Sequence, residues 1–356
     1  MSFLKVWYHP ELKRDSNDNI RNYYFDNLKF ILILFVVACH FAFKLTYVKE
    51  IKYILYFIYI FHMPCFIFIN GFFAKRLNAG GKLKVNKILS VFLMYLIFKL
   101  GNTFLAYLFD RPLSFNLFKD TSAPWYLLAL CIWYLSVPVL ERIKPVYLIS
   151  GSILIGLSAG YIKSIGAIFS LSRVFVFFPF FIIGFTLSQE RMNKFLDKRI
   201  RIPAMMYIIA VFGSFVLCFT RLKPYINVIY GSSPYVKSFG KAAIYGAFLR
   251  MSWYILAITL SAAFMLLVPR CRLFFSKFGE RTLQVYMTHI WIRNALAYAG
   301  FFTAVKAGPS YYAVLVLIGS AVLTIVLSNR LLKKLFDLLM APRLINLLLK
   351  KDELVN

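Results

Sequence analysis

Lys29-Phe30-Ile31-Leu32-Ile33-Leu34-Phe35-Val36-Val37-Ala38-Cys39-His40 sets a cation and an imidazole at the two ends of an unbroken apolar stretch. The stretch is continuously apolar rather than alternating, so it reads as a membrane helix and not as a strand of a membrane barrel. Eleven residues at about 100° each make three turns plus roughly 20°, so Lys29 and His40 project from one helix face. A rise of about 1.5 Å per residue separates them by roughly 16 Å. This predicts Lys29 at the inner edge of a bilayer and His40 near its midplane. An ionisable ring at that depth marks a functional site by default. Asp26, one turn before Lys29, is placed to pair with it.

Similar runs, each about 17 residues or more, recur along the chain. Of the 356 residues, 61% are hydrophobic and 19% aromatic, and the mean hydropathy is +0.71. Soluble domains are about 45–50% apolar. The pattern predicts an all-α polytopic membrane bundle with ten spans, at 28–47, 51–73, 86–109, 124–140, 146–163, 170–188, 203–220, 246–268, 282–302 and 311–330. A polar segment, 1–27, precedes the transmembrane domain, 28–330, and carries no cleavable signal peptide pattern. The Leu- and Lys-rich tail, 331–356, reads as an amphipathic helix on the inner surface.

The formal charge is +28. The cations lie mostly in short segments between spans, where they meet lipid headgroups and set topology, so the excess does not indicate nucleic acid. Segments 1–29, 75–87, 141–145, 189–202, 269–281 and 330–356 hold 27 Lys and Arg; segments 44–53, 110–123, 163–173, 221–245 and 303–310 hold 12. The richer set is expected in the cytoplasm, with both termini. Lys99, Arg250 and Arg293 fall within or at the edges of spans and read as structural, snorkelling cations. The five cysteines have no metal-ligand spacing and suggest no disulfide framework.

Two more of the four histidines sit in apolar runs: His62 in Phe61-His62-Met63-Pro64, and His289 in Val285-Tyr286-Met287-Thr288-His289. The remaining one, His9, is in the polar N-terminal segment. Pro64 removes a backbone donor beside His62 and is expected to bend its helix. Asn70-Gly71 allows close packing. Tyr225, Tyr230 and Tyr235, on the longest external segment, read either as rings stacking on sugar or as ordinary interfacial tyrosines. Three histidines on separate helices also suit a metal, but no zinc pattern accompanies them and none is expected.

Asp26-Asn27-Leu28-Lys29 through His40, then Phe61-His62-Met63-Pro64 to Asn70-Gly71, resemble the acyltransferase-3 membrane proteins, most closely the fucose 4-O-acetylase-related branch. Pro124-Trp125-Tyr126-Leu127 resembles the family's Trp-aromatic-Leu start of span four. Arg173 through Phe178-Pro179-Phe180-Phe181-Ile182-Ile183-Gly184 resembles its Arg…Pro-Phe-Phe-x-x-Gly helix, and Tyr286 to His289 its late Tyr-x-x-His. Two positions depart from the pattern. Lys29 stands where Arg is usual, which keeps the charge but loses the bidentate fork for phosphate, and Asn70 stands where Ser is commoner.

The resemblance implies transfer of an acetyl group from cytosolic acetyl-CoA, as substrate rather than bound cofactor, to a sugar hydroxyl of a surface polysaccharide or its precursor. It implies a bacterial cytoplasmic membrane, with lipids, the glycan acceptor and glycan-biosynthesis enzymes as partners. A sugar hydroxyl needs a base of near-neutral pKa, the attacked thioester needs a donor for its oxyanion, and CoA phosphates need cations. His40 is then the expected general base or transient acyl carrier, with His62 and His289 lining the same cavity. Lys29 and Arg173 would hold the anionic donor, Asp26 would pair with Lys29, and Trp125 would line the sugar path. A flippase for a lipid-linked sugar is the alternative that mid-membrane ionisable groups also suit, although no repeat and no acidic coupling residue is visible in the spans. A non-enzymatic scaffold is the third.

Overall fold

The structure, a computed structural model, describes residues 12–14, 20–113, 115–117, 123–165, 169–197 and 200–339. A short antiparallel pair, β1 (Leu12–Arg14) and β2 (Ile20–Asn22), precedes the helices. The long helices are α1 (Tyr23–Ala42), α2 (Lys49–Ala74), α3 (Val85–Leu108), α4 (Trp125–Leu140), α5 (Pro145–Ser158) and α6 (Leu171–Thr186). They continue with α7 (Gln189–Leu196), α8 (Arg201–Leu222), the single turn α9 (Tyr235–Phe239) and α10 (Gly246–Leu267). The described residues end in α11 (Thr282–Tyr298), α12 (Phe301–Ala307), α13 (Tyr311–Leu327) and α14 (Arg330–Leu339).

A helix lies at each of the ten expected segments. Among the described residues, five stretches are long and apolar enough to cross a membrane: Tyr23–Ala42, Lys49–Asn78, Val85–Leu108, Arg201–Tyr230 and Tyr235–Leu267. The number rises to seven if the bent pairs α6–α7 and α13–α14 each count as one span. Of the segment read as an inner-surface tail, Arg330–Leu339 forms the helix α14; residues 340–356 lie outside the described residues, as does His9.

The boundaries of the first helix differ from expectation. It starts and ends five residues earlier than 28–47, because Tyr23, Tyr24 and Phe25 are buried and extend it backwards. His40 therefore sits in the last turn of α1 and not at its middle.

The chain divides into two compact units. The first comprises Met1–Phe66, Gln189–Thr220 and Ala257–Lys333. Its centre is a triangle of α1, α11 and α13, each packed on the other two. Gly300, at φ +79°, adopts the left-handed conformation that ends α11 and lets α12 begin in a new direction.

The second unit comprises Ile67–Ser188, Arg221–Leu256 and Lys334–Asn356. Here α4 packs on α3 and α6, and α5 on α6. Asn70-Gly71 does permit close packing. A Cβ on Gly71 would lie 2.0 Å from the Phe181 carbonyl oxygen, and one on Gly184 2.0 Å from that of Phe68. Two glycines thus let the end of α2 and α6 cross backbone to backbone, the small-residue packing that membrane helices favour. Of the three tyrosines expected on the external segment, Tyr235 is fully buried and donates to the Leu157 carbonyl at 2.9 Å, whereas Tyr225 is exposed.

Candidate active site

The cytoplasm-facing end expected for α1 is fastened by the segment between α10 and α11. Asn27 is fully buried; its amide donates to the carbonyls of Pro269 (3.0 Å) and Cys271 (2.9 Å), and its carbonyl oxygen accepts from Ser276 Oγ at 2.6 Å. Tyr24 donates to the Met265 carbonyl at 3.0 Å. Gly279 lies so close that a Cβ there would sit 2.2 Å from the Asp26 carbonyl oxygen. Phe30 stacks on Phe275 at 5.1 Å. These contacts fix the register of α1 against α11, and with it the position of His40. The expected pair forms: Lys29 Nζ lies 3.3 Å from Asp26 Oδ1.

At the other end of α1 the three histidines are brought into one neighbourhood. The rings of His40 and His289 lie 5.2 Å apart. His62 and Arg293 are within electrostatic reach of His40. His289 has no exposed surface, and its Nδ1–H donates to the Val285 carbonyl one turn back, at 2.7 Å. His62 does the same towards Ile58 at 2.8 Å. A carbonyl only accepts, so the proton of each neutral ring must be on Nδ1, leaving Nε2 as a lone-pair base. For His289 that Nε2 is buried without a hydrogen-bond partner. The two rings are thus held in a single tautomer by their own helices.

Near Pro64, which lies inside α2, the Ser261 hydroxyl of α10 donates to the Phe61 carbonyl at 3.3 Å. Tyr59 lies edge-on to His62 at 4.7 Å and to Phe43 at 4.9 Å. The start of α11 is tied to the end of α13, where Gln284 Nε2 donates to the Leu327 and Asn329 carbonyls and Arg281 to that of Ser328. These bonds fill acceptors that a helix C-terminus leaves open.

Trp125 and Arg173 lie in the second unit, and come together there. The Arg173 guanidinium stands 5.3 Å over the Trp125 ring and donates from Nε to the Tyr230 carbonyl at 3.4 Å. Trp125 in turn packs on Phe177 at 5.2 Å. Lys99 donates to the Asn116 carbonyl at 2.7 Å; buried Arg250 donates to that of Gly156 at 3.0 Å and lies 4.4 Å over Tyr235. Both fit the structural reading.

Arg293 differs from them. It follows His289 by four residues on α11, so the two share a face, and its Nε is buried without a partner. From sequence it reads as a snorkelling cation, although His289-x-x-x-Arg293 is a signal available in the chain. Among the described residues no group of three metal-ligating side chains converges.

The chain matches the profile of the acyltransferase domain family Acyl_transf_3 over residues 22–329. It belongs to this family. Comparison with curated proteins and with solved structures found no match. The matched region of this acyltransferase includes every candidate residue named above. An acyltransferase must deprotonate an acceptor and stabilise an oxyanion away from bulk water. The tautomer-fixed imidazoles and the cation beside them are groups of the kinds that chemistry uses.

Proposed function

We propose that the protein is a membrane-embedded O-acetyltransferase of the fucose 4-O-acetylase-related branch. It takes acetyl from cytosolic acetyl-CoA to a sugar hydroxyl of a bacterial surface polysaccharide or its precursor. The observation that carries this reading is the His40–His289 pair, 5.2 Å between rings, with Lys29 on the His40 face of the same helix.

In this reading Lys29 meets the anionic part of the donor and His40 takes the proton of the attacking hydroxyl or carries the acyl group in transit. His62 and His289 orient the reacting groups, while Arg173 and Trp125 serve donor and sugar binding. The pairing of Asp26 with Lys29 keeps the ammonium near the helix until a phosphate competes for it. Family membership favours acyl transfer over lipid-linked sugar transport, which needs no acyl donor.

Ten spans with both termini inside complete the proposal. Hydrogen bonds between connecting segments support the alternation. Asn27 joins the first basic segment to 269–276, Arg270 joins that segment to Asp197 at 2.7 Å, and Asn78 bonds Glu141. On the other side Tyr161 bonds the Ile244 carbonyl at 2.9 Å and Arg173 that of Tyr230. Each bond links segments, or for Tyr161 the span end next to such a segment, assigned to the same face by charge.

The test is purified protein in detergent with radiolabelled acetyl-CoA and crude surface glycan, wild type beside His40→Ala. Label transfer is expected from the wild type and not from the variant. Normal transfer by folded His40→Ala protein would remove His40 from the chemistry. Absence of both donor binding and turnover in folded wild type would return the transporter reading.

A further inference from the structure

We propose that Arg293 is a catalytic residue whose guanidinium N–H groups receive the oxyanion formed at the thioester carbonyl. The proposal rests on the acyl-transfer reading above and adds to it the group that bears the developing charge.

Among the described residues, three arginines have an Nε buried without a partner: Arg250, Arg281 and Arg293. Arg250 is nevertheless anchored to Gly156 and Tyr235, and Arg281 to the Ser328 carbonyl at the end of another helix. Arg293 has no such anchor. Its guanidinium Nη2 bonds the side chain of Asn294, its own neighbour in sequence. Among the described residues no carboxylate pairs with it. The phenols of Tyr59 and Tyr298 are within its electrostatic reach. Arg293 is half-buried, but its Nε is cut off from water with no hydrogen bond and its charge has no counter-ion, a costly arrangement that calls for a ligand to complete it.

What would complete it follows from its surroundings. One turn back on the same face, His289 Nε2 is a buried acceptor that lacks a donor. The site therefore holds an unfilled acceptor beside an unfilled donor. A sugar hydroxyl gives its proton to an imidazole, and a thioester oxygen takes a hydrogen bond from a guanidinium, so the two vacancies match the two reacting partners. Asn294 and Tyr59 are neutral and cannot cancel the charge.

The step balances without any further reactant. The sugar oxygen forms a bond to the thioester carbonyl carbon while its proton passes to histidine. The carbonyl π pair moves onto oxygen, where the Arg293 N–H groups meet it. Collapse re-forms the carbonyl and breaks the C–S bond. The thiolate takes the proton back from the imidazolium and leaves as free CoA. Arg293 gives hydrogen bonds throughout and is never deprotonated.

The full-length protein in detergent tests this with Arg293→Gln and Arg293→Lys, radiolabelled acetyl-CoA and crude surface glycan. Single-turnover label transfer and equilibrium acetyl-CoA binding are measured separately. Loss of one oxyanion donor costs about 10²–10³-fold in rate. Arg293→Gln is expected to lose that much in single-turnover rate with donor affinity and melting temperature unchanged. Arg293→Lys should recover part of the loss. If Arg293→Gln does not fold, Arg293→Lys alone decides: slowed transfer at unchanged donor affinity supports the role, and wild-type transfer overturns it. Unimpaired Arg293→Gln beside active wild type overturns this role alone. Rate, affinity and stability falling together in both variants also overturn it, in favour of a packing role. Wild type that transfers no label overturns the acyl-transfer reading, and this role with it.

Discussion

A lysine in place of the family's usual arginine has a definite energetic meaning at position 29. The Lys29 ammonium is partly exposed and already meets Asp26 at 3.3 Å. A partly exposed pair of this kind is worth little, about 0–1 kcal/mol, so it does not hold Lys29 against a phosphate. A charge-assisted hydrogen bond is worth about 1.5–3 kcal/mol, or roughly ten- to a hundredfold in affinity. Lys29→Gln is therefore expected to raise the KM for acetyl-CoA by about that factor while kcat changes little. Lys29→Arg should lower KM or leave it alone, since it restores the bidentate fork. Steady-state kinetics on the two variants checks both, and a fall in kcat with unchanged KM would place Lys29 in the chemical step instead. His40, His62 and His289 were legible from sequence as candidates because an imidazole in an apolar run stands out against its background. Arg293 was not, because a long cation near a span edge has an ordinary explanation in snorkelling, and only its missing hydrogen bond separates it from that class.

Among elements, the crossing of α2 with α6 is the most exacting contact. A methyl on Gly71 would have to occupy space 2.0 Å from a carbonyl oxygen, and both neighbours are backbone. Neither helix can yield by turning a side chain, so the cost is that of overpacking, about 1–3 kcal/mol or more. Gly213, inside α8, has nothing within 4 Å of its Cβ position. There alanine gains helix propensity, up to about 1 kcal/mol. Gly71→Ala and Gly184→Ala should lower the melting temperature in detergent, and Gly213→Ala should leave it unchanged or raise it. Equal effects at all three sites would show that the close crossing does not govern stability. A second contact has the same standing. Asn27→Ala strips partners from the Pro269 and Cys271 carbonyls and from Ser276 Oγ. A buried group left unpaired costs about 1–3 kcal/mol, and the register of α1 would loosen with it, so transfer activity should fall along with the melting temperature. The existence of the helices was readable because a long apolar run in a bilayer has to be helical. Their partners were not. Membrane helices associate without a water-facing stripe to mark the buried side, and bonds such as that of Asn27 to Cys271 join residues 244 apart.

For the whole molecule the open quantity is the number of crossings, and α4 and α5 decide it. At about 1.5 Å per residue the 16 residues of α4 reach roughly 24 Å, short of a hydrocarbon core of about 30 Å. Length alone would let α4 and α5 enter from the outer face and return to it as a hairpin, leaving the turn at 141–144 within the membrane and reached only from outside. Two observations favour full crossing. The turn carries exposed Arg142 and Lys144, cations that the positive-inside rule keeps in the cytoplasm. Its Glu141 is bonded by Asn78, from the basic segment after α2. A short span is accommodated by local thinning at fractions of a kcal/mol per Å, whereas carrying two charged groups through hydrocarbon costs about 2.5–3.5 kcal/mol each. Four of the five cysteines are buried and Cys218 is exposed, so a Cys218→Ser background suits labelling by a membrane-impermeant maleimide. With single cysteines introduced by Lys82→Cys, Arg142→Cys and Lys237→Cys, intact cells are expected to label only the third. Permeabilised cells should label all three. Labelling of Arg142→Cys from outside, with Lys82→Cys still protected, would make α4 and α5 a re-entrant pair and reduce the crossings from ten to eight.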